Sequence, residues 1–253
     1  MRVISLGWGV QSFTLAVMAA LGDIEPVAAA VHADTTYESS LTYDFAKKWT
    51  PWLEERGVKV ETVKNTKPND VIRPYGDNKY RIRIPVFTAS EKVGQLRRTC
   101  TADWKIAPLR RWLQENRDGK QVEQLIGIST DEFLRMRDSN VKYIKNVYPL
   151  IQLKMSRNDC LDYLDKNNIE KPAKSSCTFC PFHSTKEWQA TKKIQKDWDQ
   201  AVAYDIEMRD KRPPFKIFLH PSRRPLDSID FRTEEEKGQT TFWDQECQGM
   251  CGI

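Results

Sequence analysis

The sequence predicts an α/β protein built on a Rossmann-like parallel sheet with helices on both faces. Two observations carry this. Short apolar runs alternate with stretches of helical periodicity through the first 165 residues, the pattern of strands joined by crossover helices. The first dozen residues, M-R-V-I-S-L-G-W-G-V-Q-S, then run a strand through a glycine turn into a helix. A length of 253 residues allows one substantial core and a smaller appended module.

Taken in order, Val3, Ile4 and Leu6 form a short buried strand that ends at Ser5 and Leu6, with Gly7 and Gly9 supplying a turn. Residues 10–21 carry apolar side chains at helical spacing. Glycines there let the backbone approach an anion, and the N–H groups and positive dipole end of the helix favour a phosphate. Ser5, Gly7, Gly9, Gln11 and Ser12 are therefore the first candidate phosphate ligands. A second strand, V-A-A-A-V, ends near Asp34-Thr35-Thr36. In open parallel sheets ligands lie outside the carboxyl ends of strands, so Asp34 is a candidate nucleotide contact, with helix capping as the alternative. Residues 41–55 read as an amphipathic helix and 58–63 as a third strand.

From 65 to 95 the pattern breaks up around Pro68, Pro74, Gly76, Pro85 and Gly94, and an irregular, basic loop is expected. Arg97 and Arg98 precede Cys100, and residues 102–114 read as a helix bearing Lys105. Residues 121–128 give another strand, with Gly127 near its end, and a turn over 129–132 follows before Arg135 and Arg137. Arginines gathered after a strand end suit phosphate or sulfate, which the planar guanidinium grips through two parallel hydrogen bonds. Residues 148–151 read as an extended turn, and Ser156 caps a helix through residue 164 with Cys160 on its apolar face. A long helix is expected over 188–209, a basic turn over 218–226, and the acidic run 234–236 reads as solvated.

Charged residues make up 30% of the chain, and 40 Lys and Arg against 35 Asp and Glu leave a net charge of +5. That balance suits an anionic substrate or nucleic acid without requiring either. No apolar run approaches a membrane span, and no signal peptide is expected because the chain enters a strand at once. A cytoplasmic protein with no membrane partner follows as an expectation. Six cysteines in a reducing compartment point to metal, cluster or redox chemistry over disulfides. Cys177 and Cys180 can place two thiolates on one metal, Cys100 is the natural third ligand, and His183, Cys247 or Cys251 can complete the set. A zinc ion and an iron–sulfur cluster both fit such donors. Cys247 and Cys251, in a glycine-containing tail, suit a redox or sulfur-relay nucleophile equally well.

Several of these pieces together resemble the phosphoadenosine phosphosulfate (PAPS) reductase family of the PP-loop, or adenine nucleotide alpha hydrolase-like, superfamily. Gly7-Trp8-Gly9-Val10-Gln11-Ser12 stands where that superfamily has S-G-G-x-D-S, with Gln11 in place of aspartate. Asp34-Thr35-Thr36 is similar to its D-T-G. Residues 100–111 resemble the C-C-x-x-x-K-x-x-P-L-x-R segment of cluster-containing reductases, with Thr99 before the single Cys100. Ser129 stands where a G-x-R motif has arginine, Cys177 and Cys180 match a C-x-x-C, and Glu246-Cys247 resembles the start of an E-C-G-L-H tail that lacks G-L-H here.

The resemblance implies a PP-loop nucleotide-binding domain over 1–165 and a smaller C-terminal extension over 166–253 carrying the metal or cluster and the cysteine tail. It implies nucleotide contacts at Ser5, Gly7, Gly9, Gln11, Ser12, Asp34, Arg98, Lys105, Gly127 and Arg135. Cys100, Cys177, Cys180 and His183 would hold a 4Fe-4S cluster or, alternatively, zinc.

Three functions remain open at this point. In the first, a reductase binds an adenine nucleotide phosphosulfate such as PAPS. The Cys247 thiolate attacks its sulfur, and Cys251 or a thioredoxin-like thiol releases sulfite. In the second, an enzyme uses ATP and Mg2+ to adenylate a tRNA or DNA base and delivers sulfur from a cluster. The third is a nucleotide-binding protein with structural zinc. Homo-oligomerisation is left open in all three.

Overall fold

The computed structural model describes residues 1–89, 94–232 and 236. They divide into two compact units. The first comprises residues 1–71 and 98–177, and the second 72–97 together with the chain from 178 onward. Each is discontinuous in sequence, so the segment 72–97 belongs with C-terminal residues, whereas a simple division at 165 keeps it with the N-terminal half.

In chain order the elements are β1 (Arg2–Ser5), α1 (Val10–Leu21), β2 (Ala29–Ala33), α2 (Ser40–Glu54) and β3 (Val60–Val63). Next come β4 (Ile72–Gly76), β5 (Lys79–Ile82), β6 (Phe87–Ala89) and β7 (Gly94–Gln95). A π-helical turn, Thr101–Ile106, leads into α3 (Ala107–Asn116), β8 (Val122–Ile126), a 3-10 turn at Thr130–Arg135, β9 (Ile144–Val147), α4 (Pro149–Gln152) and α5 (Arg157–Lys166). The chain continues through α6 (Thr185–Lys192), α7 (Gln195–Met208), β10 (Lys216–Phe218) and a 3-10 turn at Leu226–Ser228.

In the first unit the sheet order is β3-β2-β1-β8-β9, with every neighbouring pair parallel. Alternation of side chains sends Ile4, Ala30 and Leu125 to one face, where α1, α2 and α5 cover them through Phe13, Phe45, Trp49 and Leu164. Val3, Ala29, Val31 and Val122 point to the other face and pack on Leu109 and Leu113 of α3. Both faces are buried, as a parallel sheet requires. Cys160 is fully buried in the α1–α5 layer, in keeping with its place on the apolar face of the helix, and burial pushes its thiol pKa up to about 11. Ser156 caps α5 in a reciprocal capping box with Asp159.

The second unit holds an antiparallel sheet, β10-β6-β7, a β4–β5 hairpin and the α6–α7 pair. Asp205 of α7 is buried and accepts hydrogen bonds from the Leu219 and Leu226 N–H groups (3.0 and 3.1 Å) while pairing with Arg209. It ties two otherwise irregular connections to α7.

Four local expectations change. The segment 65–95, expected to be an irregular loop, contains β4 to β7, whose short strands are interrupted by Pro74 and Pro85. The expected helix over 102–114 opens as a π turn, in which Ala107 N–H reaches back to Ala102 C=O. Residues 148–151 are not extended, because Pro149 sits at the first position of α4 with its φ already set for a helix. The helix expected over 188–209 is two helices, α6 and α7, broken where Ile194 is extended. Among the described residues no helix is long and apolar enough to cross a membrane.

Candidate functional site

Strand order reverses between β1 and β8: the chain steps from β1 to β2 and β3 on one side, and from β8 to β9 on the other. Loops leaving β1 and β8 diverge there, at the carboxyl edge where open parallel sheets take their ligands. Gly127, just after β8, meets the first turn of α1 backbone to backbone. A Cβ on it would lie 2.6 Å from the Ser12 nitrogen and 2.8 Å from the Gln11 carbonyl carbon. Only glycine allows that approach.

The turn between β1 and α1 is built differently from the expectation that Gly7 and Gly9 supply it. Its left-handed residue is Trp8, at φ 56°, and neither glycine has a positive φ. The Trp8 ring is buried and packs on Phe13 and Phe45, so side-chain burial holds a backbone conformation that a bulky residue rarely adopts. Ser12 fastens the turn: Gly7 N–H donates to its Oγ (3.0 Å), which donates in turn to Gly9 C=O (3.2 Å). Gly9 is the N-cap of α1, and among the described residues no side chain caps that first turn.

Gln11 bridges three elements. Its Nε2 donates to Ser129 Oγ (3.3 Å) and Glu132 Oε2 (3.2 Å), and its Oε1 accepts from Arg157 at the start of α5 (3.1 Å). Glu132 also pairs with Arg135. Gly7, Gly9, Gln11, Ser12, Gly127 and Arg135 thus belong to one locus, with Ser5 at the end of β1.

At the exit of β2 lies a second locus. Asp34 Oδ1 accepts from Thr36 N–H (2.7 Å) and the Tyr43 hydroxyl (2.8 Å), and Oδ2 pairs with Lys64 (2.9 Å). Burial raises its carboxyl pKa, but these three partners outweigh that and hold it below the ordinary value. Asp34 therefore stays ionised and orders its own loop. Glu38 has a fully buried side chain, accepts from Thr35 Oγ1 (3.1 Å) and Ser175 Oγ (3.4 Å), and pairs with Lys105 Nζ (3.0 Å). The Glu38 backbone bridges Cys177, whose Sγ lies 3.4 Å from Thr35 Oγ1. Ser175 also neighbours Gly9, where a Cβ would lie 3.9 Å from its own. The π turn positions Lys105 for this pairing, and Arg98 lies in the exposed connection just before it.

Sequence reasoning overlooked Glu38, Ser175, Lys64, Tyr43 and Arg157, and named Thr35 only as part of a motif. Lys64 and Glu38 follow the ends of β3 and β2, whereas Tyr43, Arg157 and Ser175 carry no local signal; the partners come from distant segments. Phe133 and Leu134, both well exposed in the turn after β8, were overlooked too.

Cys100 and Cys177 belong to the first unit, Cys180 and His183 to the second. Among the described residues no group of three or more His, Cys, Asp or Glu side chains is placed to hold a metal ion. Cys247 and Cys251 lie outside the described residues.

These features define an open parallel α/β sheet with polar loops at its switch point. No family model matches the chain, and no curated protein matches it. Among solved structures it is similar to a phosphoadenylyl-sulfate (PAPS) reductase from Candida auris, crystallised as a phosphate complex. Identity is 14%, the match covers 68% of this chain and 74% of that one, and the TM-score is 0.46.

Proposed function

We propose that the switch-point loops take the phosphate end of an adenine nucleotide, and that the chain is a PAPS reductase-like enzyme. One observation carries the binding half: among the described residues no side chain caps the first turn of α1. A phosphate placed there meets backbone N–H groups and the positive end of the helix dipole. Arg157 and Arg135 at the same locus, and Lys105 beside β2, supply cationic charge for the remaining oxygens. Gln11, held by Ser129, Glu132 and Arg157, orients the loop without adding a charge that would repel a phosphosulfate.

The chemical half rests on the motif resemblance. The Cys247 thiolate attacks the sulfur of the phosphosulfate, an S–S bond forms, and the S–O bond to phosphate breaks. Adenosine 3′,5′-bisphosphate leaves with that electron pair. A second thiolate, from Cys251 or a thioredoxin-like protein, then attacks the Cys247 sulfur, expels sulfite and leaves a disulfide.

The test is to supply PAPS and a dithiol reductant and to follow sulfite and adenosine 3′,5′-bisphosphate together. Equal yields of the two are expected, with Cys247→Ser abolishing sulfite while nucleotide binding persists. Sulfite production undiminished in Cys247→Ser would remove that nucleophile. Pyrophosphate release from ATP with no sulfite from PAPS would replace this reading by the ATP-using one.

A further inference from the structure

The β4–β5 hairpin of the second unit carries charge that the switch-point loops do not use. Its register pairs Ile72 with Ile82, Arg73 with Arg81, Pro74 with Tyr80 and Gly76 with Lys79. The period of two then sorts the side chains. Ile72, Pro74, Tyr80 and Ile82 share one face, where Ile82 is buried and the Tyr80 ring is covered by the Lys211 ammonium at 4.4 Å. Arg73, Lys79 and Arg81 share the other, and all three are exposed.

Arg73 and Arg81 stand directly opposite each other, an arrangement of like charges that weakens a strand pair. Among the described residues no carboxylate forms an ion pair with Arg73, Lys79 or Arg81. Residues 72–83 contain four basic side chains against one acidic one, Asp77 at the turn. A register shift between Pro74 and Gly76 places Tyr75 at a bulge, and it is 59% exposed.

We infer that the outward face of this ribbon binds single-stranded nucleic acid. A backbone phosphate between Arg73 and Arg81 relieves their repulsion and accepts hydrogen bonds from both guanidinium groups. Lys79 lies one step further along the same face for a neighbouring phosphate. Tyr75 offers an open ring on which a base can stack, a contact an intact duplex does not present. The inference stands on the second unit alone and does not rest on the nucleotide reading.

Fluorescence anisotropy of the full-length protein with a labelled, mixed-sequence single-stranded DNA, repeated across a KCl series, tests it. Saturable, salt-sensitive binding is expected. Arg73→Gln with Arg81→Gln should weaken it about tenfold or more and flatten the log–log salt slope by about 0.7, the loss of the one phosphate contact the two share. Tyr75→Ala should weaken binding with the slope unchanged. Removing the opposed arginines should leave the urea midpoint no lower; a lower midpoint would show that the protein itself uses the pair, and would overturn the inference. So would absence of binding by the wild type, unchanged binding by the double variant, or binding to anionic vesicles only. Tighter binding of the matched duplex with Tyr75→Ala silent would overturn it equally.

Discussion

At the scale of single residues, His32 links the interior of the first unit to the polar locus at its edge. It is buried in β2, with its Nδ1 3.1 Å from Leu6 C=O. A carbonyl only accepts, so Nδ1 carries the proton of a neutral ring. Burial pushes the imidazole pKa below its ordinary value, against the opposing pull of Glu38 and Leu6 C=O. Because the folded value is depressed, the unfolded chain takes up a proton first as pH falls through about 6.5. The stability that neutral His32 contributes is therefore complete above that pH and declines below it. Urea titrations of the wild type at several pH values should show this decline, and His32→Asn should flatten it. Stability that rises on acidification through that window would contradict the assignment. Asp34 behaves alike at lower pH: its contribution is full above about 3.9 and is lost as the pH falls through its depressed folded value.

Between elements, the tightest constraint is Gly127 against α1. Gly127→Ala drives a Cβ into backbone that cannot swing aside, so it should cost about 1–3 kcal/mol and weaken nucleotide binding by shifting the first turn. Gly7→Ala is the control, since its Cβ would come no closer than 3.6 Å to the Ser12 hydroxyl. Equal urea midpoints and equal nucleotide affinity for the two variants would refute the role given to Gly127. Elements with strong apolar periodicity, α1, α2 and α5 with their neighbouring strands, were legible in the sequence because each has a buried face to fill. Strands β4 to β7 were not, since β7 has two residues and β4 is crossed by Pro74 and a bulge. The π turn was hidden for another reason: residues 102–114 have ordinary helical spacing, and only the hydrogen bond from Ala107 to Ala102 reveals the wider turn. The site divides in the same way. Gly7 to Ser12 and Gly127 are read from a strand–turn–helix pattern, whereas the pairing of Glu38 with Lys105 and Ser175 depends on tertiary packing that no local pattern records.

For the whole molecule, one topological fact organises the account: a parallel sheet of order β3-β2-β1-β8-β9 must have its switch point between β1 and β8. The place of the polar loops follows from the strand order, since it is the loops leaving those strands that meet there. Asp34 is engaged by Thr36, Tyr43 and Lys64, and the proposed anion site is the first turn of α1. Isothermal titration calorimetry of the full-length protein with PAPS, adenosine 3′,5′-bisphosphate, ATP and adenosine tests that claim most directly. The account predicts saturable one-to-one binding of the phosphate-bearing nucleotides, with adenosine weaker by about tenfold or more, a difference of roughly 1.4 kcal/mol. Adenosine binding as tightly as its phosphorylated forms, or no binding of any of them, would contradict it.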